Sequence, residues 1–91
     1  MRGGDGKEMN KQKLLKKILG GSKNVRFDEF VALVKAFGFQ HARTSGSHHI
    51  FQHPDIPELV NIQNRKGKAK PYQMRQFLEL VEEYNLELGD E

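Results

Sequence analysis

The chain has 91 residues, with 15 Lys and Arg against 12 Asp and Glu, 36% hydrophobic residues and no Cys. That length holds one small domain, in which folding removes about two-thirds of the unfolded surface from water. The absence of Cys excludes disulfide scaffolds, thiolate zinc sites and Cys nucleophiles. No apolar run is long enough to span a membrane, and Leu14–Leu19 is broken by Lys16 and Lys17, so it is no signal-peptide core. The expectation is a soluble cytoplasmic domain.

The net charge of +3 conceals an uneven distribution: residues 1–25 carry +5, 26–57 are neutral, 58–75 carry +4 and 76–91 carry −6. Such a chain presents separate positive and negative surfaces, which suits a polyanion on one side, though solubility patterning explains the same charges.

Residues 1–9, rich in glycine, have no periodicity and read as disordered. Residues 10–24 read as an accessory helix and its glycine turn. Leu14, Leu15, Ile18 and Leu19 follow helical spacing over Lys11–Leu19, and Gly20-Gly21 stops the helix. About nine residues are marginal as a helix alone, so this one needs a surface to dock on. A core domain is expected over 25–86, with an acidic tail at 87–91 that frays beyond Leu88. The next helix is set by Phe30, Leu33, Val34 and Phe37 at i, i+3, i+4 and i+7, with Asp28 and Glu29 at its positive end and Gly38 as its stop.

Three strands follow, Phe39–Thr44, His48–His53 and Leu59–Gln63, separated by Ser45-Gly46-Ser47 and by Pro54-Asp55. Their short links favour an antiparallel meander. Pro71 suits the first turn of a last helix, whose stripe is Met74, Phe77, Leu78 and Val81, with Glu79, Glu82 and Glu83 outside. The sum is a two-layer α+β fold, α-β-β-β-α with a three-stranded antiparallel sheet, plus an extra N-terminal helix.

All four histidines lie between His41 and His53, and they are the groups able to transfer protons near neutral pH. Strand alternation puts His49 and His53 on one face and His48 on the other, against a shared metal site. Gly46-Ser47-His48 offers a tight turn, a hydroxyl and an imidazole on a pinned strand start. From spacing alone His48 reads first as an ordinary half-buried strand residue and second as an acid–base group. The basic loop Arg65-Lys66-Gly67-Lys68-Ala69-Lys70 opens onto a helix N-terminus, a combination that favours phosphate, while a solvated loop is the plain alternative. Tyr72 is placed either to stack on a base or to cover the sheet edge.

Gly46-Ser47-His48-His49-Ile50-Phe51-Gln52-His53-Pro54 resembles the glycine-serine-histidine strand motif of the HicA toxin family. Ala36-Phe37-Gly38-Phe39 is similar in position to the end of that family's first core helix. Gly67-Lys68-Ala69-Lys70-Pro71-Tyr72, with Gln76-Phe77-Leu78, resembles its final loop and helix. The resemblance covers about residues 25–86. It implies a fold like the double-stranded RNA-binding domain, and the toxin of a type II toxin–antitoxin system that cleaves messenger RNA without metal or cofactor, restrained by a HicB antitoxin. It implies no membrane or DNA contact.

Under that resemblance His48 is the catalytic general acid/base, supported by Gly46, Ser47 and His49. Arg43, Arg65, Lys66, Lys68, Lys70 and Tyr72 are RNA contacts. A non-catalytic RNA-binding module of the same fold is the alternative. The chain departs from the family pattern in two places. The helix Lys11–Leu19 is an addition, and Asn61-Ile62-Gln63-Asn64 stands where many relatives carry Pro and His.

Overall fold

The computed structural model describes residues 11–89. The expected disorder of residues 1–9 lies outside them. The elements run α1 (Lys11–Leu19), α2 (Phe27–Ala36), β1 (Gln40–Ser45), β2 (His48–His53), β3 (Ile56–Gln63) and α3 (Pro71–Glu83). The strands form one antiparallel sheet in the order β1-β2-β3. Among the described residues no helix is long and apolar enough to cross a membrane.

The apolar stripes of the helices meet one sheet face. Phe30, Leu33, Val34 and Phe37 of the α2 segment are buried with Met74 and Phe77 of α3 and Phe51, Val60 and Ile62 of the sheet. Phe77 is the centre of this layer, because the rings of Phe30, Phe37 and Phe39 each lie 5.5 Å from it in edge-on geometry. Glu29 reaches back to accept the Arg26 N–H at 3.2 Å, one half of a capping box at the start of α2. The extra helix docks as its length requires: Leu14 and Ile18 enter the same core, leaving Lys16 and Lys17 outside. Burying two such side chains is worth about 3–6 kcal/mol before ordering costs, enough to hold a helix too short to stand alone.

Two strands differ from expectation in their bounds: β1 runs Gln40–Ser45, one residue later than Phe39–Thr44, and β3 starts early. β3 begins at Ile56 rather than Leu59 because His53 pairs with Ile56 across a two-residue turn. Pro57 is tolerated within it because β3 is an edge strand, where one ladder donor is dispensable. The segment after α3 is anchored through Gly89: Leu86 and Leu88 pack on the core and the Gly89 N–H donates to the Ala36 carbonyl at 2.8 Å.

Candidate functional site

β1 and β2 are joined by Gly46-Ser47, with Ser45 paired to His48. Gly46 has φ +60, the positive first position of a II′-type hairpin turn, and this requirement rather than lack of space selects glycine. The pairings Ser45↔His48, Arg43↔Ile50 and His48↔Gln63 put Arg43, Ser45, His48, Ile50 and Gln63 on the sheet face away from the helices. Arg43 is thus the diagonal neighbour of His48, a relation that places Cβ atoms about 7–8 Å apart.

His48 is half-buried, and its Nδ1 lies 3.2 Å from Asn61 Oδ1. An amide oxygen only accepts, so this contact is a hydrogen bond in the tautomer with a proton on Nδ1, the tautomer that leaves the Nε2 lone pair open on the sheet face. Asn61 lies in the segment that departs from the family pattern, and here its amide orients the imidazole. Two further glutamines stiffen the turn. Gln63 Nε2 donates to Ser47 Oγ at 3.3 Å, and the Gln63 N–H donates to Oε1 of buried Gln73 on α3 at 2.7 Å.

His49 is not brought to His48. It lies on the helix side, 4.7 Å from the Phe27 ring, with Nδ1 3.3 Å from Thr44 Oγ1, which in turn lies 2.7 Å from His41 Nε2. His53 packs on Phe39 at 5.1 Å, and its Nδ1 accepts the Asp55 N–H. The four imidazoles are therefore divided between two sheet faces, and among the described residues no three His, Asp or Glu side chains are grouped to hold a metal ion.

The basic loop is a tight turn. Arg65 and Lys68 exchange two backbone bonds of 3.0 Å, and Lys66 and Gly67 both have positive φ, +54 and +83, as a I′ turn demands. The Gly67 N–H donates to Asn64 Oδ1 at 2.8 Å, and the Asn64 N–H donates to the Ser47 carbonyl at 3.0 Å. These two bonds connect the basic turn directly to the residue before His48. From the other side Phe27 N–H donates to Gly67 O and Ala69 N–H to Val25 O.

The cations are held differently. Arg65 and Lys66 are exposed at the turn, Lys68 Nζ donates to Asn24 Oδ1, and Lys70 Nζ lies 5.7 Å over the Tyr72 ring. α3 starts with Pro71 and has no acidic residue in its first turn, so its positive end adds to this potential. The α2 start, by contrast, carries Asp28 and Glu29 of its own.

Sequence reasoning did not single out Asn61, Gln63, Asn64 or Gln73 as supports. A glutamine beside Met74 at the base of an apolar helix stripe was the one local signal.

The chain is thus an α+β domain with an imidazole held on its open sheet face and a basic turn beside it. The family described as "HicA toxin of bacterial toxin-antitoxin" matches residues 27–82, more than half of the chain, and the chain belongs to that family. It is thereby a toxin-family protein with an antitoxin as its implied partner. No curated protein matches the chain.

Proposed function

We propose that this chain is a ribonuclease toxin that cleaves messenger RNA without metal, with His48 as its general acid/base and a HicB-type antitoxin as its restraint. The observation that carries the reading is the pairing of His48 Nδ1 with Asn61, which frees Nε2, at a strand start hydrogen-bonded through Asn64 to a basic turn.

In this reading a strand of RNA crosses the open face with its phosphates against Arg65, Lys66, Lys68 and the start of α3, and Tyr72 offers a stacking surface. His48 Nε2 takes the proton of the 2′-hydroxyl as that oxygen attacks phosphorus. The bond to the 5′-oxygen breaks and that oxygen takes a proton from water, leaving a 2′,3′-cyclic phosphate and a 5′-hydroxyl. Arg43, on the same face, opposes the charge gathering on the phosphate oxygens. Ser47 and the Gly46 turn hold the imidazole's backbone in place.

The test is cleavage of a messenger RNA by the purified chain in EDTA, together with growth arrest on induction. His48→Ala should lower the cleavage rate by about 10²–10⁴-fold, the usual worth of a positioned acid–base group. Equal cleavage and arrest by His48→Ala would overturn the assignment. One observation favours a non-catalytic RNA-binding module instead: His48 bonds a neutral amide, not a carboxylate that would stabilise its cation. That reading predicts salt-sensitive binding and no product at any enzyme concentration.

A further inference from the structure

Helix α1 lies outside the residues matched to the family, and its charge is one-sided: residues 11–27 hold six basic and no acidic side chains. The loop that follows it is joined to the basic turn by the Ala69 N–H to Val25 O bond, by the Phe27 N–H to Gly67 O bond and by Lys68 Nζ to Asn24 Oδ1. Between the end of α1 and the first half of α3 runs a groove of about 300 Å³, lined by Ile18, Leu19, Lys23, Pro71, Met74 and Arg75 among others. Leu19 is 63% exposed on its rim. Lys23 and Arg75 bring a cation from each side, and exposed Lys16 and Lys17 continue the positive surface along α1.

We infer that this groove and the basic face of α1 form a second RNA subsite, which takes the phosphodiester backbone of the strand as it leaves the basic turn. The inference rests on the RNA-cleaving reading above and extends its footprint. Lys23 and Arg75 bind phosphate from opposite walls, Lys16 and Lys17 bind the phosphates beyond, and the aliphatic floor packs against ribose. Three observations favour a polyanion over a protein here. The segment has no acid, the loop after α1 is hydrogen-bonded to the basic turn, and Pro71 in the groove's lining directly follows Lys70. Because α1 shares the core through Leu14 and Ile18, the subsite moves as one body with the turn.

The test uses the full chain with His48→Ala, expected to slow cleavage, and fluorescent single-stranded oligoribonucleotides of about 5 and about 16 nucleotides, the range of single-strand sites. Affinity is measured against salt with and without the triple change Lys16→Gln, Lys17→Gln, Lys23→Gln. All three side chains are exposed, so the fold is kept, which circular dichroism verifies. At about 0.7 of salt slope per phosphate contact on single strands, the triple change should lower the slope for the long RNA by about 2. Binding of the short RNA should stay within about 2-fold, since a strand of about 5 nucleotides fits on the turn alone. Unchanged slopes for the long RNA would overturn the inference and leave the groove to a protein partner. Equal losses at both lengths would also overturn it, since they mark a diffuse field. Failure of the parent protein to bind either RNA would overturn the RNA-cleaving reading itself, and this inference with it.

Discussion

Gln73 is 3% exposed, and its amide oxygen accepts the Gln63 N–H at 2.7 Å. It therefore ties α3 to the last residue of β3, and Gln63 in turn holds Ser47. Replacing it with methionine keeps length and volume but removes the acceptor. The part-buried Gln63 N–H is then stranded, at a cost of about 1–3 kcal/mol. Burying a thioether in place of an amide returns part of this, so the expected net loss is about 1–2 kcal/mol. For a domain of this size each kcal/mol lowers Tm by about 4–8 °C, which predicts a drop of roughly 5–15 °C. Urea melts of Gln73→Met and of Gln76→Met, whose side chain is exposed, provide the measurement and its control. The m-value should stay constant, because the surface exposed on unfolding is the same. Wild-type midpoints for Gln73→Met would refute the reasoning, since a buried amide that costs nothing to remove is not holding the strand end.

Asn61→Ala removes the acceptor that orients His48. Losing one such bond, worth about 1 kcal/mol, should slow RNA cleavage about 5-fold and lower Tm by about 4–8 °C; an undiminished rate would show that the imidazole needs no orienting. Lys66 has φ +54, a conformation that asparagine adopts more readily, so Lys66→Asn should raise stability by about 0.5–1 kcal/mol in urea melts while weakening RNA binding. Tighter RNA binding by that variant would remove Lys66 from the interface. Tyr84 donates to Glu58 at 2.7 Å, and chiefly this bond, helped by partial burial and the charges of Glu58 and Glu83, pushes its hydroxyl from 10.0 up to about 12. The folded state then favours the protonated phenol. Its contribution is complete below pH 10.0 and is lost as pH rises through about 12, a loss that Tyr84→Phe should abolish in melts taken across that window.

Periodicity and turn chemistry made most of the fold legible. The Phe30, Leu33, Val34, Phe37 stripe is buried as its spacing requires, Gly38 ends the segment with φ +100, and Ser45-Gly46-Ser47 and Pro54-Asp55 fall at the strand turns. The early start of β3 was hidden because Pro57 and Glu58 interrupt the apolar pattern, and only the strand's place at the sheet edge makes them acceptable. At the site, alternation alone separates His48 from His49, a distinction carried by the two-residue period of a strand. The bonds from Gln73 to Gln63, from Gln63 to Ser47 and from Asn61 to His48 span 10, 16 and 13 positions. No local pattern encodes such distant pairings, so they emerge only from the folded chain.

The end of β3, the strand paired with His48, bears most directly on activity. The resemblance implies Pro and His where this chain has Asn61-Ile62-Gln63-Asn64, and a missing histidine there would deprive the reaction of a second proton-transferring group if that group were needed. The geometry argues that this segment serves another purpose here. Ile62 is fully buried, so the side chains on either side of it, Asn61 and Gln63, turn to the open face, where Asn61 meets His48 and Gln63 meets Ser47. Asn64 then joins the same turn to Gly67. Three polar amides thus bind the imidazole, its turn and the basic loop into one rigid end of the molecule. Restoring a histidine, as in Asn64→His, would cut the Asn64 Oδ1 bond to the Gly67 N–H and loosen the basic turn. The expected result is weaker RNA binding with no gain in cleavage rate. A variant that cleaves faster than the parent would show that proton transfer, and not placement of the phosphates, limits this protein.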